Sequence, residues 1–208
     1  KAIREAIGRK EGPILREDLE GLEKLRAEGR DIESLSGIEN CVNLRELYLK
    51  DNKISDIKPL SNLVKLRVLD LTGNRVVDIS PLSNLTELRQ LYLGRNRISD
   101  ISPLSRLTKL WDLYLSNNQI SDISPLLENP GIGEGDGIDL RMNPLNEEAY
   151  TSVIPILKQR GVNLLFDPRP ILSSAVVEIS PQKLEGIKGE KLSIDVMIKG
   201  VENLAGFQ

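Results

Sequence analysis

The chain has 208 residues, a formal net charge of -3 at pH 7 and 39% hydrophobic residues, which is the balance of a globular domain and excludes a strongly basic nucleic-acid-binding surface. With no histidine and a single cysteine, it lacks the commonest metal ligand, the usual general base near neutral pH and any internal disulfide. No stretch of about 18 apolar residues and no signal peptide is recognised, so we expect no membrane span and infer no compartment from these features.

Residues 1–21 are predicted to form a helical N-terminal cap. The segments KAIREAI (1–7) and REDLEGLEKL (16–25) each place apolar residues at helical spacing. The intervening GRKEGP (8–13) contains the glycine and proline that are typical of a turn. We therefore expect two short helices that cover the first end of the structure formed by the following residues.

Residues 22–145 contain a repeat with a period of 22 residues. Each of four copies has the frame L-x-x-L-x-L-x-x-N, and the four asparagines are Asn52, Asn74, Asn96 and Asn118. A degenerate copy comes before them, with Arg30 at the asparagine position, and a copy with three extra residues follows and ends at Asn143. A period of 20–29 residues with this frame is the signature of the leucine-rich repeat.

The chemistry of this frame predicts a stack of coils. L-x-L is a short strand with its leucines on one face, and a single copy cannot bury those leucines without a neighbour. Stacked copies would pair the strands as a curved parallel sheet, and each asparagine amide would bond backbone groups where the chain leaves the sheet. We therefore predict an α/β leucine-rich-repeat solenoid, a horseshoe with its β-sheet on the concave side and helical caps at both ends.

The segments between the strands are predicted to form the convex side of the horseshoe. The words DISPL, which begin at residues 78, 100 and 122, place a serine directly before a proline. We expect each serine to N-cap one short 3-10 or α turn, with proline at its first position. These serines are Ser80, Ser102 and Ser124. Cys41 falls on an apolar position of the same pattern, and we interpret it as a buried apolar residue without redox chemistry.

Residues 146–168 are predicted to form the C-terminal cap. Asn146 is suited to N-cap a helix, Pro155 to begin a second helical piece, and Gly161 to end it. The segment VNLLF (162–166) then supplies a last strand along the edge of the sheet.

The chain beyond this cap has a different pattern. DPRP (167–170) has the composition of a linker, and AVVEIS (175–180) and KLSIDVMIKG (191–200) alternate as strands do. Two strands are too few for an independent core. We therefore predict that residues 171–208 are the start of a partial all-β domain, which would pack on the repeats, pair with a second molecule or stay disordered.

The repeat consensus, NQISDISPLSNLTxLxxLYLxxN, resembles that of the internalin-type bacterial leucine-rich repeats. The segments ENPGIGEGDGIDLRMNPL (128–145) and IPILKQRGVNLLFDP (154–168) are similar to parts of bacterial surface or secreted repeat proteins. The tail VEISPQKLEGIKGEKLSIDVMIKGVENLAGFQ (177–208) is similar to the first strands of a cohesin-like β-sandwich. The resemblance implies an extracellular or cell-surface binding protein without catalytic activity, and it leaves the ligand open.

The outward-facing strand residues are the candidate binding surface, because unrelated ligands commonly bind the concave face of a repeat sheet. Three of the four tyrosines and the only tryptophan fall on this surface, and Tyr, Trp and Arg commonly anchor interfaces. Our candidate binding residues are Tyr48, Arg67, Asp70, Arg89, Tyr92, Trp111, Tyr114 and Asp139. A purely structural role stays open, since a cross-strand tyrosine pair stabilises a sheet by itself, by roughly 0.2–1 kcal/mol.

Three other patterns are rejected as sites. GIGEGDG (131–137) looks like a phosphate-binding loop, but no helix with Lys-Ser/Thr follows it. One aspartate per coil, at Asp56, Asp78, Asp100 and Asp122, lacks the dense oxygen cluster that calcium needs and fits local turn bonding. Asp112 and Asp139 on a flat sheet do not make a hydrolase site. We therefore expect no catalytic residues, no metal and no cofactor.

The sequence thus favours a non-catalytic module that binds an unidentified protein partner on its concave face, without nucleic acid. The sequence also allows two alternatives. The repeats could serve as a spacer or scaffold for a cohesin-like assembly domain, in which case the C-terminal β segment also offers a route to pairing between molecules. The aromatic patch could instead bind a glycan.

Overall fold

The computed structural model describes Arg4, Glu11, Gly12 and residues 14–169, and a compact unit ends at Pro168. The strands are β1 Lys24–Arg26, β2 Glu46–Tyr48, β3 Val68–Asp70, β4 Gln90–Tyr92, β5 Asp112–Tyr114, β6 Gly137–Asp139 and β7 Asn163–Leu165. The α-helices are α1 Arg16–Glu20, α2 Pro125–Glu128 and α3 Ile154–Gln159. Most of the first predicted cap helix and all of residues 171–208 lie outside the described residues.

The seven strands form one parallel sheet in chain order, as the repeat predicts. Neighbouring strands are in register, so that Leu69 pairs with Leu91 and Leu91 pairs with Leu113. The middle residue of each of β2 to β5 is a fully buried leucine, and the residues on either side face away from the core. The degenerate copy supplies β1 and the copy with three extra residues supplies β6, so all six predicted coils belong to the stack.

The buried core is a continuous column of leucine and isoleucine side chains from Leu22 to Val162. Each coil contributes apolar side chains to the column from its strand and from its convex segment. Without the neighbouring coils, both groups of side chains would be exposed to water. Cys41 is fully buried in this column, and burial, followed by the negative charge of Glu39, raises the pKa of its thiol. The interpretation of Cys41 as an apolar core residue is confirmed.

The asparagine that ends each repeat joins adjacent coils through its side chain. The Asn74 Nδ2 donates to the carbonyls of Leu49 (2.9 Å) and Leu71 (3.0 Å), and its Oδ1 accepts from the Ile54 amide (3.0 Å). The same three bonds recur at Asn52, Asn96, Asn118 and Asn143. One amide therefore satisfies backbone groups of two coils at the point where the chain leaves the sheet.

The convex side carries short 3-10 helices, as predicted, but their serines are not N-caps. The 3-10 helices are Ile38–Asn40, Lys58–Leu60, Ser80–Leu82 and Ser102–Arg106. Ser80 is the first residue of its helix, and its backbone amide donates to the Asp78 Oδ1 at 2.8 Å. Ser124 does precede α2, but its side chain makes no capping bond. The aspartate two residues earlier accepts from the backbone amide of residue 58, 80, 102 or 124, which confirms local turn bonding at all four repeat aspartates.

The C-terminal cap follows the predicted order. The Asn146 Oδ1 accepts from the Ala149 amide at 2.8 Å, and a helical run begins at residue 147. A π-helical segment, Ala149–Val153, is followed without a break by the α-helix α3. The second helical piece predicted near Pro155 is therefore a change from π-helix to α-helix within one continuous helical segment. Gly161 ends the run with a φ of +83°, and β7 then pairs with β6 at the edge of the sheet. In the described part of the chain, no helix has the length and apolar character needed to cross a membrane.

We expect Asn74→Ala to lower the free energy of unfolding by about 2–4 kcal/mol, because it leaves buried donors and acceptors of two coils unpaired. The matched control is Asn84→Ala, since Asn84 is exposed on the convex side. Urea unfolding followed by circular dichroism measures both variants. Equal stability of Asn74→Ala and Asn84→Ala would contradict the role assigned to the repeat asparagine.

Candidate concave-face binding surface

The outer face of β4 and β5 brings Tyr92 and Tyr114 together, and Trp111 lies at the opposite end of β5 from Tyr114. Tyr92 and Tyr114 are register partners in β4 and β5, and their ring centroids are 5.1 Å apart with an angle of 37° between the planes. Trp111 directly precedes β5 and is 50% exposed, and Tyr114 is 40% exposed. The predicted aromatic neighbours are therefore in contact, and large ring surfaces remain open to solvent.

A carboxylate and an amide hold Tyr92 in place. The Tyr92 hydroxyl donates to the Asp112 Oδ2 at 2.7 Å, and the Gln90 Nε2 lies 3.4 Å from the same oxygen. Burial raises the pKa of the Tyr92 phenol, and the bond to Asp112 raises it further. On the other side, Asp70 is the register partner of Tyr92, and its Oδ1 accepts from the Thr72 amide at 2.9 Å. The central patch is thus aromatic and acidic.

Tyr48 lies on the same face but belongs to a separate cluster at the first end of the sheet. Its hydroxyl donates to the Glu46 Oε2 at 3.0 Å, and Glu46 pairs with Lys24. The Arg26 guanidinium carbon lies 4.1 Å from the Tyr48 ring centroid, and the Lys24 Nζ lies 5.4 Å from it. The hydrogen bond from Lys24, followed by that from Tyr48, lowers the pKa of Glu46, while burial and the bond to Glu46 raise the pKa of Tyr48.

Arg67 and Arg89 form an exposed column at the start of the strands. Their backbones are tied to the neighbouring coils, because the Arg67 amide donates to the Arg45 carbonyl (2.8 Å) and the Arg89 amide donates to the Arg67 carbonyl (2.9 Å). The Trp111 amide continues the series by donating to the Arg89 carbonyl at 3.0 Å. The column therefore has a fixed backbone spacing and side chains that reach solvent.

Asp139 differs from the exposed contact residue that the sequence predicts. Asp139 is only 3% exposed, because the Arg141 side chain covers its carboxylate. The Arg141 Nε and Nη2 donate to it at 2.9 and 2.7 Å, and the Arg141 amide donates at 3.1 Å. Burial alone would raise the pKa of Asp139, but the bonds from Arg141 outweigh burial and lower it. Asp139 therefore shapes the sheet through Arg141 and is not itself open to a partner.

The glycine-rich loop packs closely against the preceding coil. A Cβ on Gly131 would lie 1.9 Å from the Thr108 carbonyl oxygen, so only glycine fits against the preceding coil. The Gly133 amide donates to the Asp136 Oδ2 at 2.8 Å within the loop. Across the described residues, no group of three or more acidic, cysteine or histidine side chains is placed to hold a metal ion.

The cluster of Lys24, Arg26 and Glu46 around Tyr48 was not predicted from the sequence. Lys24 and Arg26 occupy outward strand positions in a copy whose asparagine is replaced, so their place on the concave face was easy to overlook. A left-handed backbone conformation that recurs one residue before each asparagine position was not predicted either. The residues with this conformation are Gly29, Asp51, Gly73, Arg95, Asn117 and Met142.

A family profile described as Leucine Rich repeats (2 copies) matches residues 20–62, 42–84, 64–106 and 86–128, which together span just over half of the chain. The chain therefore belongs to the leucine-rich repeat family. No curated protein matches the chain.

Solved structures add a more detailed likeness. The chain is similar to the internalin InlF of Listeria monocytogenes, with 35% identity, a TM-score of 0.68 and coverage of 80% of this chain and 49% of that one. It thus spans about half the length of InlF. A leucine-rich repeat protein of Leptospira interrogans has 24% identity and a TM-score of 0.60, over 71% of this chain and 37% of that one. The domain of InlJ from Listeria monocytogenes has 21% identity and a TM-score of 0.53, over 70% and 36%. These last two show the fold alone.

We expect Asp139→Asn to destabilise the protein by about 1–2 kcal/mol at pH 7, because it removes a buried charge-assisted pair with Arg141. A carboxyl whose pKa is lowered by folding contributes stability above its unfolded pKa and loses it as the pH falls through the folded value. The difference in free energy of unfolding between the unaltered chain and Asp139→Asn should therefore shrink below about pH 4.

Urea unfolding at several pH values measures this difference. Glu87→Gln is the control, because the side chains of the Glu87–Lys109 ion pair are 38% and 49% exposed, against 4% for Asp139, so its loss should affect stability little. A deficit of Asp139→Asn that stays constant from pH 7 to about pH 2.5 would contradict the account.

Proposed function

We propose that this chain is a non-catalytic, extracellular or cell-surface module that binds a protein partner on the concave face of its repeat sheet. The observation that carries the proposal is the exposed aromatic patch, in which Tyr92 and Tyr114 are in contact and Trp111 is half exposed. Leucine-rich repeat proteins of the internalin type generally mediate protein binding and are typically non-catalytic. The surface location is proposed from the likeness to internalins.

The mechanism is recognition by a preformed surface. Backbone bonds fix each strand to the next, as between the Leu71 amide and the Tyr92 carbonyl (2.8 Å) and between the Leu93 amide and the Tyr114 carbonyl (2.8 Å). Side chains held on such a sheet lose little conformational entropy when a partner docks. The aromatic residues then supply large contact area with few rotatable bonds.

The candidate residues take different parts in this proposal. Tyr92, Tyr114 and Trp111 are the proposed anchors, because they combine ring area with access to solvent. Arg67 and Arg89 are exposed and set the orientation of an acidic region of the partner. Asp70 is proposed to orient the partner from the β3 side of the patch, where it is the register partner of Tyr92. Tyr48 and Asp139 are already engaged by basic residues of this chain and are proposed only to shape the rim.

The proposal predicts that Tyr92→Ala/Tyr114→Ala weakens partner binding at least about tenfold, while thermal unfolding changes by only a few degrees. The immobilised 208-residue chain captures partners from cell-surface extracts, mass spectrometry identifies them, and each is then expressed for affinity measurement. The control is the convex-face variant Lys58→Ala/Val64→Ala, in which both replaced residues are exposed.

The outcomes separate the proposal from its rivals. Unchanged affinity of the tyrosine variant for every identified partner would contradict the use of the concave face. Binding that disappears when the chain is shortened to Pro168 would favour the downstream residues and a spacer role for the repeats. A glycan array on which binding depends on Tyr92 and Tyr114, with no protein partner, would favour a carbohydrate ligand.

A further inference from the structure

The first end of the sheet shows how this surface accommodates a cation. Tyr48 in β2 has the Arg26 guanidinium over its ring at 4.1 Å and the Lys24 ammonium at 5.4 Å. Glu46 accepts a hydrogen bond from the Tyr48 hydroxyl and pairs with Lys24 at 2.5 Å. One tyrosine and one carboxylate are thus matched by basic side chains of the chain itself.

Tyr92 and Tyr114 occupy the same strand position in β4 and β5, with carboxylates beside them; Arg141 interacts electrostatically with Tyr114, but among the described residues no cation lies over either ring. Asp112 accepts from the Tyr92 hydroxyl, and Asp70 is the register partner of Tyr92. The three strands β3, β4 and β5 contain two carboxylates and no basic residue. Within the described part of the chain, no lysine or arginine lies over either ring; Arg141, in the next coil, is bonded to Asp139.

We infer that the patch formed by Tyr92, Tyr114, Asp70 and Asp112 binds an arginine or lysine side chain of the protein partner. The inference rests on the proposed function, because it names the chemistry of the group that docks on the same surface. The partner cation takes the place that Arg26 and Lys24 hold at Tyr48.

The physical basis is the combination of ring faces and nearby negative charge. A cation over a tyrosine face gains about 0.5–2 kcal/mol, with the larger values where water is excluded. The patch favours arginine over lysine, since a guanidinium is planar, weakly hydrated and able to stack on a ring while its edge bonds a carboxylate. A sugar also stacks on aromatic rings but brings no charge, so the charge of a probe separates the two ligands.

The test uses the full 208-residue chain with 13C-labelled tyrosine rings and a blocked peptide, acetyl-Gly-Arg-Arg-Gly-amide, at low ionic strength. The peptide in which citrulline replaces arginine is the matched probe, because citrulline keeps the shape of arginine and lacks its charge. We expect the ring signals of Tyr92 and Tyr114 to shift saturably with the arginine peptide and at least about fivefold less with the citrulline peptide. Tyr48 and Tyr150 serve as internal controls, and their ring signals should not shift when the peptide is added.

Two variants sharpen the result. Asp70→Asn/Asp112→Asn should weaken the arginine peptide about tenfold while leaving the tyrosine rings in contact. Lys24→Gln/Arg26→Gln should make the Tyr48 ring respond to the peptide, because it leaves Glu46 and Tyr48 without their cations. Any one of three results would overturn the inference. The citrulline peptide could shift the ring signals as much as the arginine peptide, or Asp70→Asn/Asp112→Asn could leave the affinity for the arginine peptide unchanged. The third is a Tyr48 ring signal that does not shift in Lys24→Gln/Arg26→Gln.

These outcomes are distinct from those of the proposed function. If a protein partner needs Tyr92 and Tyr114 but the peptide shows no charge dependence, the cation inference is wrong and the concave-face function stands. If the arginine peptide binds as expected but partner affinity is indifferent to both tyrosines, the cation site stands and the proposed function is wrong.

Discussion

The structure depends on the burial of leucines by coils that cannot bury them alone. Each of the strands β2 to β5 contributes one fully buried leucine, and the column continues because the next coil places an apolar residue at the same position in register. The repeat asparagine makes this stacking compatible with a polar backbone, since its amide satisfies groups of two coils at once. The same register that closes the core also sets the spacing of every side chain on the concave face.

This constraint links the fold to the proposed recognition. Because Leu91 lies against Leu113, Tyr92 must lie against Tyr114, and the pair becomes a contiguous ring surface without any further device. The concave face then divides by charge. At the first end of the sheet, basic residues lie over the Tyr48 ring and pair with the carboxylate of Glu46. In the central patch, the carboxylates are present but no cation of the described residues lies over the tyrosine rings. A partner that supplies positive charge would complete the central patch as the chain completes the first.

The sequence was sufficient to predict the architecture, because period and frame determine both the register and the inward face. It predicted the contact of Tyr92 with Tyr114 and the burial of Cys41 for the same reason. It could not predict the pairing of Asp139 with Arg141, since the sequence does not reveal that a side chain two residues past the end of β6 folds back over the last residue of that strand. The prediction of serine N-caps was wrong because aspartate and serine both suit a turn, and at Ser80 the helix begins at the serine itself, whose amide donates to Asp78.

The most direct test of the central claim is amide hydrogen exchange, residue by residue, in the unliganded protein. The amides of Leu49, Leu71 and Leu93 each donate to the next coil at 2.8 Å, so they should exchange slowly and at similar rates, near the limit set by global unfolding. Fast or widely different exchange at these three amides would contradict a preformed, rigid concave face.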